Sequence, residues 1–375
     1  MYNINQEWLD STWNKVNEKL LRVAVKSRDK IPYTTINGVH DNRGKTEPDW
    51  WTNGFWGGMM WLMYNATGNE EYRKTAENSE KILDKALEEY DKLHHDVGFM
   101  WHLTSGANYR LTGNKAARNK NLFAAATLMS RYNVDGDFIQ AWNGDCKGYS
   151  IIDCLMNIPL LYWASREIGH DRFKRIAMHH MDMTARDHIR ADGSVNHIVD
   201  HYLDRVGVKQ VLAGQGYSEP SCWSRGLGWA VYGSILSYIH TKEERYLECA
   251  TRTADYFIEH CKKTDYLPLL DFEAPAEPVY YDSTAAVCAA CGMLEIAKYA
   301  SDSEKYSDAA INILKAVDEK CCNYDESEDA LVLMGSERYP RSEVELKTVH
   351  IPIIYADFFF VEALCKLRGE EFLIW

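Results

Sequence analysis

Two aspartates in this 375-residue chain sit where a carboxylate is costly. Asp153 interrupts the apolar run GYSIIDCLMNIPLL at 148–161, and Asp96 lies in the short segment HHDVGF at 94–99. A carboxylate among apolar neighbours must be hydrogen-bonded, paired or kept protonated. If the two share one aromatic site, one of them is pushed to hold a proton near neutral pH, the poise that general acid catalysis requires. Each also has a structural role open to it. Ser150-Ile-Ile-Asp153 fits the capping box of a helix start, and Asp96 suits a cap of the helix after it, with His94 and His95 alongside.

Other chemistries are poorly supported. His94, His95, His102, Asp96 and the histidine pair at 179–180 show no HExxH or similar ligand spacing, and adjacent histidines rarely face one ion, so no metal is expected. GxGxxG, P-loop and GxSxG patterns are missing, which argues against a nucleotide cofactor and against an α/β-hydrolase triad. Cys288 and Cys291 have CxxC spacing but fall within a helical run without a second such pair, so core packing is expected of them.

The elements that must position the aspartates are helices. A link recurs at 66–77, 111–121, 167–177 and 299–310, with a looser copy at 240–250: an apolar pattern stops, usually at Gly, and a new amphipathic helix begins after Asn, Asp or Ser. Helical periodicity between the links predicts helices near 6–28, 52–66, 70–88, 97–112, 115–131, 150–168, 171–188, 222–241, 243–262, 282–300, 303–322 and 355–368, with short strands possible near 134–142, 194–202 and 331–334. First members of each pair are apolar all round and second members have a charged face, so the former belong inside and the latter outside. The expectation is an all-α, six-hairpin (α/α)6 toroid over residues 1–375 as a single domain. Its cavity lies at the mouths of the inner helices, where WWTNGFW, LHHDVGFMWH, QAWNGDCKGYSIID, NHIVDHYLDR and GQGYSEPSCWSRGLGW concentrate aromatic, His and carboxylate residues suited to a sugar.

Bulk properties set limits on partners. With 46% hydrophobic and 26% charged residues the composition is that of an ordinary globular protein. A net charge of −13 opposes nucleic-acid and anionic-membrane partners, yet permits a small anionic substrate in a locally basic pocket. No signal-peptide pattern or long apolar run is present, and the ten cysteines follow no disulfide framework, so a cytoplasmic location is expected. Nothing in the sequence specifies an oligomeric state.

The blocks WTNGFWGGMMWL, LHHDVGFMW, FIQAWNGD, IIDCLMNIPLLYWA, WSRGLGWAVYG and DFEAPAEPVYYDSTAAVCAACGMLEIA, in this order over about 50–300, resemble the bacterial unsaturated glucuronyl hydrolases of glycoside hydrolase family 88. The resemblance implies the six-hairpin barrel and a substrate made by polysaccharide lyases, an oligosaccharide ending in a 4,5-unsaturated uronic acid. It assigns the general acid and base to Asp153 and the second active-site carboxylate to Asp96. It places Trp51, Phe55, His95, Trp142, His197, Gln215, Arg225 and Trp229 around the sugar. It implies no cofactor and no metal.

Some positions depart from the family pattern. Gly214-Gln215-Gly216 replaces a common His-Gln-Gly, Asn53 replaces Asp, and VHIPIIYADFFF differs from an aromatic-rich form, so linkage and sulfation preference are open. Arg341, Ser342 and Lys347 are within conceivable reach of a sulfate, although a solvated charged loop fits them better. Rival functions are an unsaturated rhamnogalacturonyl hydrolase, a polysaccharide lyase on the same toroid, and a non-catalytic glycan binder.

Overall fold

In the computed structural model, which describes residues 4–375, six inner helical segments form a closed ring. They are Asn53–Thr67, the π-turn Gly98–His102 with Ser105–Thr112, the 3-10 turn Ile152–Met156 with Pro159–Ile168, Ser224–Thr241, Ser283–Ile296, and Ile354–Leu367. Each packs on its ring neighbours, and the last closes back onto the first. Five outer helices, Glu70–Leu83, Lys115–Ser130, Arg172–Asp187, Glu244–Lys262 and Ser303–Lys320, follow their inner partners in sequence. The sixth outer helix, Gln6–Lys26, packs on Ile354–Leu367, so the two ends of the chain complete the last pair. This is the expected α/α toroid.

Local chemistry sets the links. The helices Asn53–Thr67, Ser105–Thr112 and Pro159–Ile168 end at Gly68, Gly113 and Gly169, all in the left-handed conformation that favours glycine. Asn69 and Asn114 then cap the next helices through their side-chain oxygens. Inner helices are buried almost throughout: every residue of Ser283–Ile296 is buried, Cys288 and Cys291 included. All ten cysteines are free thiols.

Three expectations need correction. Residues 150–168 are not one helix: Tyr149–Ile151 is a strand paired with Ile198–His201, which pairs in turn with Val208–Leu212, all antiparallel. The α-helix begins only at Pro159, whose missing N–H and fixed φ suit a first turn and not an interior. Residues 97–112 likewise divide into the π-turn and a separate helix. Near 331–334 there is only an isolated bridge between Cys322 and Val332, whereas the 132–139 region forms a two-stranded hairpin. Among the described residues, no helix is long and apolar enough to cross a membrane.

Candidate active site

A cavity of about 440 Å3 opens at the mouth of the ring. Asp96 and Asp153 both line it, with Trp51, His95, Trp142, Gln215 and Arg225. Neither aspartate is a cap. Ser150 lies in the strand with its side chain turned away from any helix start, its Oγ 2.7 Å from His188 Nε2 and 2.8 Å from His201 Nε2. His188 Nδ1 faces the Asn196 carbonyl at 2.9 Å and so carries the ring proton, which makes Ser150 the donor to His188 and the acceptor from His201. This buried chain of hydrogen bonds fixes the strand that delivers Asp153. Asn157 supplies the other restraint, donating from Nδ2 to Asp96 Oδ1 at 3.1 Å and to the Asp153 carbonyl at 3.4 Å.

Each aspartate faces a histidine, and the two rings present opposite nitrogens. His95 Nδ1 lies 2.8 Å from the Ala141 carbonyl, an acceptor only, so Nδ1 is protonated and Nε2 turns a lone pair toward Asp96 Oδ1 at 3.2 Å. Burial holds the imidazole well below its usual range and therefore neutral. A lone pair against a carboxyl oxygen is favourable only if a proton lies between them. In agreement, burial first and the neighbouring Asp153 charge second push Asp96 well above the usual carboxylate range, against the opposing Asn157 bond. His197 has the other arrangement. Its Nδ1 accepts the Gln215 backbone N–H at 2.9 Å, a closer contact than the Ala213 carbonyl at 3.3 Å, so in the neutral ring the proton is on Nε2. That nitrogen faces Asp153 Oδ1 at 3.5 Å. The site is thus built for a neutral Asp96, while Asp153 faces the opposite ring nitrogen of its own histidine.

Arg225 is buried yet lines the cavity. One of its terminal nitrogens serves Asp282, Thr284 Oγ1 and the Ser336 carbonyl, and the other serves the Glu337 carbonyl. Its Nε has no partner. Gln215 Nε2 is held on the same Glu337 carbonyl at 2.6 Å.

A family model described as Glycosyl Hydrolase Family 88 matches residues 23–235. The chain belongs to that family. It is accordingly a glycosidase. It is 34% identical over 330 residues to an unsaturated glucuronyl hydrolase of Bacillus sp. (strain GL1), covering 85% of this chain and 86% of that one. It is 32% identical over 351 residues to an unsaturated chondroitin disaccharide hydrolase of Streptococcus pneumoniae, covering 91% and 87% respectively. A crystal structure of the unsaturated glucuronyl hydrolase from Bacillus sp. GL1, responsible for the degradation of glycosaminoglycan, superposes with a TM-score of 0.88 at 30% identity, covering 96% of this chain and 97% of that one.

Within this family 88 barrel, not every expected sugar contact lies on the cavity wall. Phe55 and Trp229 are fully buried beneath it. Phe55 packs on Phe99, Tyr355, Phe358 and Phe359, and Trp229 on Phe99, Tyr355 and Phe359. They form the floor under Trp51 and Tyr355, because inner-helix faces one turn below the mouth point at the ring axis. Trp51 and Trp142 remain half-buried at the wall, Trp142 edge-on to His95. His197 sits behind Asp153, packed on Trp223.

The departures from the family pattern also acquire causes. Gly214 has φ +58°, and a side chain there would start 2.2 Å from His197 Nδ1, so histidine cannot be accommodated without displacing that ring. Asn53 donates to the Glu47 and Pro48 carbonyls, tying down the segment before the first inner helix. Arg341 is bound to the Gly214 and Gly216 carbonyls, and Ser342 caps the short helix Glu343–Leu346. Neither of them nor Lys347 lines the cavity. The rim cations are Lys92 and Arg338, which the sequence did not single out; only their charge could have pointed to them. Asn157 was legible in principle, four residues after Asp153 in a buried run. The Ser150, His188 and His201 contacts were not, since they join three separate segments.

Proposed function

We propose that the chain removes the 4,5-unsaturated uronic acid from the non-reducing end of lyase-generated oligosaccharides by hydrating its C4–C5 double bond, with glycosaminoglycan-type disaccharides as the first candidates. The observation that carries this is the pair of carboxyls in one aromatic-walled cavity, one of them, Asp96, arranged to be neutral. The unsaturated uronate is an enol ether. A proton added at C4 leaves an oxocarbenium-like centre at C5, water adds there and gives up a proton, and the resulting hemiketal opens to release the remaining sugar. One carboxyl can give the first proton and take the second.

Asp153 is assigned that role. Neutral Asp96 keeps a second carboxylate charge out of the pocket, and its Oδ2, which does not carry the proton shared with His95, can accept from a sugar hydroxyl. The guanidinium of Arg225, at the cavity wall, suits the substrate carboxylate. Trp51 and Trp142 supply ring faces. The proton resident on Asp96 favours a second reading, in which Asp96 protonates C4 and Asp153 deprotonates the water. The ten free cysteines support a cytoplasmic location.

The test is loss of the ultraviolet absorbance of the unsaturated uronate, over a panel of disaccharides from hyaluronan, chondroitin, heparin, gellan and pectin. A lyase would raise that absorbance and a binder would leave it unchanged. Asp153→Asn should lower turnover by at least ~100-fold with the fold intact, and near-normal turnover in that variant overturns the assignment. Asp96→Asn separates the two readings: an amide still donates a hydrogen bond, so partial activity supports Asp153 alone and complete loss supports Asp96 as the donor.

A further inference from the structure

His94 has no part in the hydration chemistry, yet it turns toward the same carboxyl as His95. Its Nδ1 lies 3.4 Å from Asp96 Oδ2, and the two imidazoles sit with centroids 5.1 Å apart and planes tilted by 31°. Adjacent residues thus converge, because the chain turns sharply between Leu93 and the π-turn at Gly98. One ligand atom from each of His94, His95 and Asp96 lies within 4.8 Å of the others, and all three residues line the cavity. Two ring nitrogens and one carboxyl thus converge within 3.4 Å contacts, and a cation among them would be held by all three. The Asp96 backbone N–H reaches His94 Nδ1 at only 3.5 Å, the limit of a hydrogen bond.

The geometry points to a divalent-cation site made by His94, His95 and Asp96, in which a borderline metal such as Zn2+ blocks the cavity. Imidazole nitrogens with one carboxylate suit Zn2+, whose ligands at about 2.0–2.2 Å sit roughly 3.3 Å from one another when tetrahedral. The contacts of 3.2 Å from His95 Nε2 to Asp96 Oδ1 and 3.4 Å from His94 Nδ1 to Asp96 Oδ2 are of that size, one carboxylate oxygen facing each ring. The outer shell is in place as well: the Ala141 carbonyl fixes the His95 tautomer and Asn157 holds Asp96. A fourth position faces the cavity, open to water or a sugar hydroxyl. The ion has no part in the hydration proposed above; on binding it occupies Asp96 and the cavity mouth. Binding stands on the geometry alone, whereas inhibition rests on the function proposed above.

Calorimetric titration of the full chain with Zn2+, after chelator treatment, should show one ion bound. His94→Ala and His94→Gln, each checked for native circular dichroism, should weaken it by at least about tenfold. Cys146→Ser, at the partly exposed thiol, should leave it unchanged. Zn2+ should also stop turnover of the unsaturated disaccharide, reversibly with chelator, and the folded His94 variants should resist it. No binding, or binding lost with Cys146→Ser and kept in both His94 variants, overturns the site. A chain that binds Zn2+ through His94 but turns over no unsaturated sugar retains the site and refutes the proposed function instead.

Discussion

His95 Nε2 lies 3.2 Å from Asp96 Oδ1 with its own proton committed to the other side of the ring, at the Ala141 carbonyl. Across the cavity, His197 presents the opposite nitrogen to Asp153 because the Gln215 backbone N–H occupies its Nδ1. Two backbone groups therefore decide which ring nitrogen each aspartate meets. At Asp96 burial adds to the effect and pushes the carboxyl well above its usual range.

Removing the His95 lone pair should shift the pH profile. In His95→Phe the Asp96 carboxyl loses the acceptor for its proton, so its pKa falls and it ionises at lower pH. The alkaline limb of kcat/KM should move toward acid while the acid limb stays in place. Rate measurements across pH on one unsaturated disaccharide check this, and an unmoved alkaline limb counts against a functional neutral Asp96.

Ser150→Ala should loosen the strand behind Asp153. It leaves the His188 acceptor and the His201 donor without their buried partner, which costs about 1–3 kcal/mol. Urea unfolding should show that loss, and kcat should fall more than KM rises, since the substrate-binding wall is untouched. Ser150→Thr, which keeps the hydroxyl, should recover part of both.

The two tryptophans of the sequence pattern should behave differently. Trp229→Ala removes a fully buried ring from the aromatic floor and should destabilise the fold by about 3–5 kcal/mol. Trp142→Ala, at the cavity wall, should leave thermal stability nearly unchanged and lower kcat/KM by roughly tenfold, the worth of one stacked ring.

Stability should also depend on pH through a group remote from the site. Glu80 is buried between Trp61 Nε1 and Asn108 Nδ2, and burial raises its pKa from 4.5 to about 7. A folded pKa above the unfolded one means that the folded chain binds the extra proton. Its stabilising contribution is complete below about 4.5 and is lost as pH rises through about 7. Glu80→Gln should flatten the decline in unfolding free energy between those limits, measured by urea titration at several pH values.

The architecture was legible because its signals are local. Gly stops, Asn caps and 3.6-residue periodicity act within one turn of chain, and the all-round apolarity of runs such as STAAVCAACGMLEI marks the inside of a ring without reference to any other segment. Asp153 stood out for the same reason, as a charge within an apolar run, whereas the role of Asp96 came from the family resemblance.

What tertiary structure decided depends on partners distant in sequence. Ser150 has the pattern of a helix cap, but Ile198–His201 arrives to pair with its strand, and the ladder prevails over the local preference. Phe55 and Trp229 look like sugar platforms until the ring closes and their depth below the mouth is fixed. His94 and His95 converge only because the backbone turns between Leu93 and Gly98. The sequence by itself determined a toroid of helix pairs with two acidic residues at its mouth; which nitrogen each histidine turns to its aspartate was decided by Ala141 and Gln215, whose backbone groups reach the two rings only in the folded chain.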